Sequence, residues 1–282
     1  MEPLCRGRLI ARLARSDEDL ARAQALRWRA FRAALAGPGA GAGRDVDAFD
    51  ARCLHLLVED AREGGELLAT CRLLPLASGA AIGQSYAAQY YDLAKLRHYP
   101  AAMLEVGRFC TRAGPVESDA LRLAWGALTR FVDERGVALM FGASSFAGTD
   151  PSAYGTAFAH LARHHLGPAR WMPAVRAPEV VRYGASNAAA GPFASDAESV
   201  RQAAVTGAAQ AGLMPSAAMP AQIPPLLRSY LAMGGWVSDH AVVDRDMQTL
   251  HVFTGVEIAA IPPARARLLR ALAGQMAAPV PT

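Results

Sequence analysis

Lysine is almost absent from this chain: Lys95 stands alone, and arginine supplies nearly all of the positive charge. The balance of 29 Lys+Arg against 25 Asp+Glu leaves a net charge of +4. That excess lacks the clustered basic and aromatic pattern of a nucleic-acid binder, though it suits an acidic partner or an anionic membrane surface. Cysteine is scarce as well. Cys5, Cys53, Cys71 and Cys110 share no close spacing, which argues against a disulfide framework and a cysteine-ligated zinc site and leaves reduced thiols as the default. No apolar run is long enough to cross a bilayer, the longest, around 136–148, being broken by glycine and serine. The opening stretch MEPLCRGRLIARLARSDEDL has neither an uninterrupted apolar segment nor a small-residue cleavage site, so a cytoplasmic protein is expected.

Several catalytic signatures are also missing. Gly142 and Ser144 have the spacing of a nucleophile elbow, but Phe146 takes the place of its second glycine. The glycine-rich stretch 37–43 (GPGAGAG) carries no Lys-Ser/Thr and follows no strand, so it reads as a mobile flap rather than a phosphate loop. There is no dinucleotide fingerprint. Asp45, Asp47 and Asp50 beside the flap lack the ligand pattern of a calcium loop and fit an ammonium group better. His160 and His164 have the i,i+4 spacing of half a metal site without a third ligand, so no metal is expected.

What is present is a globular chain of 282 residues, 52% hydrophobic and 19% charged, a length for one large domain or one and a half and ample for a real core. A first strand is expected over 8–14, then a helix capped by Ser16 or Asp17 that carries Leu20, Ala23, Gln24, Arg27, Trp28 and Phe31 at helical spacing. A hairpin over 53–59 and 67–74 turns at Gly64-Gly65. Strand 104–112, helix 118–133 and buried strand 137–141 follow, the last leading into a loop over 142–149. That succession marks an α/β fold. Residues 1–183 read as the core and 184–223, rich in Ala, Gly and Ser with one weak helix over 196–210, as an insertion or linker. Residues 224–282 read as an extension packing on the core: helix 224–233, hairpin strands 236–243 and 250–258, and closing helix 262–273.

The stretch least explained by packing is MLEVGRFCTR, where Glu105 and Arg108 interrupt an apolar strand. A buried ionised carboxylate is costly unless it is paired or put to use. It is either half of a structural ion pair or part of a site. Arg72, among the leucines of LLATCRLL, repeats the anomaly. Cys110 in such a strand reads as an inert core thiol rather than a nucleophile.

Taken together, LRWRAF, DVDAFD, LLATCRLL and LEVGRFC resemble the N-terminal half of the acyl-homoserine-lactone synthases. In those enzymes an Arg-x-x-x-Phe helix, an Asp-x-x-Asp pair, a strand arginine and a Glu-x-x-Arg strand form the acceptor site. A closer similarity, running in order over nearly the whole chain, is to the ornithine N-acyltransferases that make lyso-ornithine lipid from a 3-hydroxyacyl carrier protein. It is carried by FDARCLHLLV, CRLL, EVGRFC, FGASSFAGTDP, PPLLRSYLAMGGWVSDHAVVD and TLHVFTGVEI. There are departures. The lactone synthases' tryptophan after the first helix has no counterpart in AALAGPGAGAG, Phe109 stands where the ornithine family commonly has Ser, and a cysteine expected near Ala143 is missing. The first of these speaks against S-adenosylmethionine as a substrate.

The resemblance implies a GNAT-like α/β fold: a mixed, twisted sheet splayed between two central parallel strands, with flanking helices and a C-terminal hairpin-plus-helix extension. It implies Glu105 as general base and Arg108 as the group positioning Glu105 or the acceptor carboxylate. Arg27, Phe31, Asp47, Asp50 and Arg72 would bind the acceptor, Arg72 at its carboxylate and Asp47 and Asp50 at its δ-ammonium. Phe109, Cys110, Ser144 and Phe146 would line the donor. No cofactor is implied, because the phosphopantetheine arm arrives with the donor, and backbone N–H groups at the splay would polarise its thioester. The implied partners are acyl carrier protein, docked by arginines such as Arg112, Arg122 and Arg130, and L-ornithine. A membrane surface that takes up the lipid-like product and a downstream O-acyltransferase fit the same reading. Other readings stay open: a lactone synthase or another amino-acid N-acyltransferase, and a noncatalytic acyl-carrier or lipid-binding module.

Overall fold

The structure, a computed structural model, describes residues 1–37, 41–62, 65–115, 117–183 and 219–274. The weak helix expected over 196–210, most of the insertion, Gly64 and the middle of the 37–43 stretch lie outside the described residues. In chain order the elements begin with β1 (Leu4–Arg6), β2 (Leu9–Leu13), α1 (Asp17–Arg27), β3 (Leu54–Asp60), β4 (Glu66–Leu76), β5 (Tyr91–Asp92), β6 (Met103–Thr111) and α2 (Glu117–Arg135). Then come β7 (Leu139–Ala147), α3 (Gly155–His164), β8 (Ala174–Val175), β9 (Val180–Arg182), α4 (Pro225–Ala232), β10 (Trp236–Asp244), β11 (Thr249–Glu257) and α5 (Pro263–Gly274). The α/β class expected from the sequence is the one observed. Two compact units interleave along the chain: Met1–Pro75 with Leu104–Val137 and Pro262–Thr282, and Leu76–Met103 with Ala138–Ile261.

In the first unit the strands run in the order β1-β2-β3-β4-β6. The single strand expected over 8–14 is a tight hairpin, β1 against β2, because Gly7 takes a φ of 55° that its turn requires. Ser16 caps α1 by accepting from the N–H of Asp19 at 3.2 Å. Arg12 then ties the start of α1 to the sheet, both Nη atoms donating to Asp19 at 2.6 and 2.7 Å and Nε to Glu59 at 2.6 Å. Beyond Arg27 the helix widens into a π-helical turn, Trp28–Arg32, whose i→i+5 bond runs from Ala33 N–H to Trp28 O at 2.9 Å. Such turns redirect side chains and recur at functional sites. On α2, Leu121, Trp125, Leu128 and Val132 are buried, as their spacing predicts. α5 packs on α2, with Arg270 paired to Asp133 and Arg130 donating to Ala273 O.

In the second unit the order is β7-β11-β10-β9, antiparallel throughout. Phe146, Phe158, Leu161, Leu227, Leu231 and Val252 share its core. The loop expected over 142–149 is instead the body of β7, which pairs with β11 from Leu139↔Glu257 through Ala147↔Thr249. The small residues Gly142, Ala143, Ser144 and Ser145 look like loop by composition. Pairing along the whole strand satisfies their backbone, and Thr254 donates to the Ser144 hydroxyl at 2.9 Å. Among the described residues no helix is long and apolar enough to cross a membrane.

Candidate active site

The charges that interrupt the apolar strands of the first unit converge. Arg27, at the end of α1, is fully buried and donates through Nε to Asp45 Oδ2 at 3.0 Å and through Nη1 to Asp50 Oδ1 at 2.8 Å. Asp45 Oδ2 also accepts from Nε of Arg108, on β6, at 3.0 Å. Arg108 Nη2 lies 3.5 Å from Asp47 Oδ2, Arg72 on β4 donates to Asp47 Oδ1, and Arg72 Nη1 is 3.4 Å from Asp50 Oδ1. Three arginines and three aspartates thus alternate in a closed ring, each charge facing two of opposite sign.

Local structure delivers these groups. Gly43 lets the chain pass flat against the ring of Trp28, where an added Cβ would meet ring carbon at 2.5 Å. Past that point Asp45 N–H reaches Gln24 O at 3.0 Å, which fixes the loop to the end of α1. Asp47 folds the next turn by accepting from Phe49 N–H at 2.8 Å, an Asx turn that brings Asp50 back to Arg27. Arg108 sits at φ 50°, a left-handed conformation that is uncommon for a residue other than glycine. Burial pushes Asp45 upward in pKa, and the charges of Arg108 and Arg27 more than reverse it. For Asp50 burial is again outweighed, by the hydrogen bond and charge of Arg27 with help from Gln24 and Arg72, and its pKa falls to about 2. Asp45 and Asp50 thus lie among guanidinium groups that favour the ionised carboxylate.

Of the residues singled out from the sequence, Arg27, Asp47, Asp50, Arg72 and Arg108 stand in the ring. Glu105 is buried on the same strand as Arg108. Phe31 packs on the cluster of Ala23, Leu26, Leu57, Leu67 and Cys110. Phe109 stacks on Trp125 with ring centroids 6.0 Å apart. Burial pushes the Cys110 thiol up to about 12, so it is no nucleophile. Ser144 and Phe146 belong to the second unit, Ser144 bonded to Thr254 and Phe146 in the core beside Tyr154 and Phe158. Arg112 pairs with Glu66, Arg122 with Asp119, and Arg130 with the Ala273 carbonyl. His160 and His164 lie close, ring centroids 4.7 Å apart, but among the described residues no group of His, Cys, Asp and Glu is arranged to hold a metal.

Three contributors escaped the sequence reading. Asp45 was visible as a loop carboxylate but not as the hub that Arg27, Arg32 and Arg108 share. Gln24 donates to Asp50 Oδ2 at 2.9 Å. His55 is buried on β3, opposite Arg72 in register, with Nε2 3.1 Å from the Asp50 carbonyl oxygen; burial lowers its pKa, so the ring is held neutral and Nε2–H is the donor. A polar residue inside CLHLLV carries the same anomaly that flagged Arg72.

Comparison with known proteins bears on this arrangement. The family described as acetyltransferase (GNAT) domain matches residues 26–126, a span that holds every member of the ring. An L-ornithine N(alpha)-acyltransferase of Rhodobacter capsulatus is 30% identical over 249 residues, covering 86% of each chain. One of the same name from Rhizobium meliloti is 29% identical over 289 residues, 96% of this chain and 88% of that one. Among solved structures, TofI aligns over 94% of this chain and 100% of its own at 15% identity and a TM-score of 0.43. MesI, a CoA-dependent acyl-homoserine lactone synthase, aligns over 91% and 88% at 12% identity with the same score of 0.43.

Proposed function

The chain belongs to the family of the L-ornithine N(alpha)-acyltransferases, and from that premise we propose that it moves a 3-hydroxyacyl group from acyl carrier protein to the α-amino group of L-ornithine, giving lyso-ornithine lipid. On the acceptor side, the observation that carries the reading is the buried ring of Arg27, Asp45, Arg108, Asp47, Arg72 and Asp50. Fixed charges of both signs suit a small ligand that itself carries both.

In this reading the acceptor's α-ammonium gives a proton to Glu105, directly or through a water. The neutral nitrogen attacks the thioester carbonyl carbon and gives up its second proton as the amide bond forms, the C–S bond breaks, and the phosphopantetheine sulfur takes that proton and leaves as a thiol. Burial of Glu105 in β6, on the strand that carries Arg108, supports the assignment, because a carboxylate placed among apolar residues needs a partner or a use. Arg108, held by Asp45 at Nε, orients Glu105 or the acceptor carboxylate, and Arg72 assists at that carboxylate. Phe109, Cys110, Ser144 and Phe146 are proposed along the donor's path. The chemistry needs no cofactor of its own, since the pantetheine arm comes with the carrier. A product with one acyl chain and a charged head partitions to a membrane surface, which fits a cytoplasmic enzyme working at the inner face of the membrane and passing its product to an O-acyltransferase.

The test is incubation of the purified protein with 3-hydroxyacyl carrier protein and a mixture of amino acids, read by mass spectrometry. N-acyl ornithine is the expected product. A different N-acyl amino acid moves the acceptor, and intact donor with no adduct removes the reading.

A further inference from the structure

The carboxylate oxygens of the ring are not equivalent. Asp45 Oδ2 accepts from Arg27 and Arg108, both at 3.0 Å, and its Oδ1 from Arg32 at 3.3 Å. Asp50 Oδ1 accepts from Arg27 at 2.8 Å, and its Oδ2 from Gln24 at 2.9 Å and Arg27 at 3.0 Å. Asp47 Oδ1 accepts from Phe49 N–H at 2.8 Å and from Arg72. Asp47 Oδ2 is different: it is buried and has no hydrogen-bond partner. Arg108 Nη2, at 3.5 Å, gives it a counter-charge without a hydrogen bond. A buried carboxylate oxygen left without a donor is uncommon and costly, and a ligand that brings a donor removes the cost.

We propose that Asp47 Oδ2 receives the distal ammonium of the acceptor, and that Asp47, rather than Asp50, makes the enzyme select a diamino acid. This rests on the function proposed above. Asp45 and Asp50 are saturated by the chain's own donors and serve to hold Arg27 and Arg108 in place. Asp47 is also the most open of the three, with 25% of its side chain exposed against 1% for Asp45 and 5% for Asp50. An acceptor lacking the distal ammonium leaves Asp47 Oδ2 unpaired.

The experiment compares kcat/KM for L-ornithine, L-norvaline (the same carbon skeleton without the terminal amine) and L-2,4-diaminobutanoate in the wild type, Asp47→Asn and Asp47→Glu. The wild type is expected to favour ornithine over norvaline by roughly 100-fold or more, as sites built around a buried polar contact do. In Asp47→Asn that ratio is expected to fall below about 10, chiefly through a higher KM for ornithine. In Asp47→Glu, whose carboxylate reaches one methylene further, the preference shifts toward 2,4-diaminobutanoate. If Asp47→Asn does not fold, the Glu variant decides. An unchanged acceptor ranking in the folded variants overturns the inference, as does a wild type that takes norvaline as well as ornithine. A wild type that makes no N-acyl ornithine overturns instead the proposed function on which the inference rests.

Discussion

Arg27 and Asp50 meet fork to fork inside the first unit, Nη1 to Oδ1 at 2.8 Å and Nη2 to Oδ2 at 3.0 Å, with the arginine fully buried. Removing one member of such a pair strands the other. Arg27→Met therefore leaves Asp45 and Asp50 short of a cation and is expected to cost about 3–5 kcal/mol of stability, read from urea unfolding. Arg27→Lys keeps the charge but loses the fork, and should fall between the two. Wild-type stability in the Met variant would mean that the ring contributes nothing to the fold.

Acid should unfold the protein in two stages. His55 is held neutral by burial, below its unfolded value of about 6.5. The unfolded chain therefore binds the proton first, and this contribution, complete above that pH, declines as pH drops below it. Asp50, brought to about 2, contributes fully above its unfolded value of about 3.9 and loses that contribution as pH falls toward 2. Its share is about 2 kcal/mol. The hydrogen bond from Arg12 brings Asp19 to about 2 as well, which adds to the second stage. The urea midpoint followed from neutral pH to pH 2 should bend below about 6.5 and steepen below about 4. A midpoint that stays level through the lower stage contradicts the carboxylate assignments.

Glu105→Gln keeps the size and hydrogen-bonding reach of the side chain but removes its basicity. Turnover of ornithine is expected to drop by about 10² to 10⁴ in kcat, while circular dichroism stays that of the wild type. Undiminished turnover would take the base away from Glu105 and leave it as half of an ion pair.

At φ 50°, Arg108 pairs a strained backbone with two useful contacts. Arg108→Gly and Arg108→Ala both lose the contacts, but only glycine loses the strain. The glycine variant should be the more stable by about 1 kcal/mol, measured as the difference in unfolding free energy. Equal stability would argue that this backbone geometry costs nothing.

Much of this was legible in the chain. Charges where an apolar pattern predicts leucine or valine, at Arg72, Glu105 and Arg108, marked the site, because burying such groups is costly enough that each needs a reason. The helix carrying Arg27 and Phe31 was legible from spacing and its serine cap. What could not be read was convergence. Asp45 looks like any loop aspartate until the chain is seen lying against Trp28 at Gly43, a close approach made across distance in sequence. The glycine-rich stretch suggested a flap, yet at Gly43 the role of glycine is to make room for an aromatic ring. β7 was cut short at Phe141 because glycine, alanine and serine carry little strand preference of their own, and only the partner strand β11 extends it to Ala147.

The pairing of α5 with α2 bears on how the protein is made. Both helices belong to the first unit, yet residues 138–261, the larger part of the second, are synthesised between them. A ribosome therefore delivers the whole charged ring, closed by Arg108, long before it delivers the helix that covers α2. During that interval α2 lacks the helix that packs on it in the finished fold.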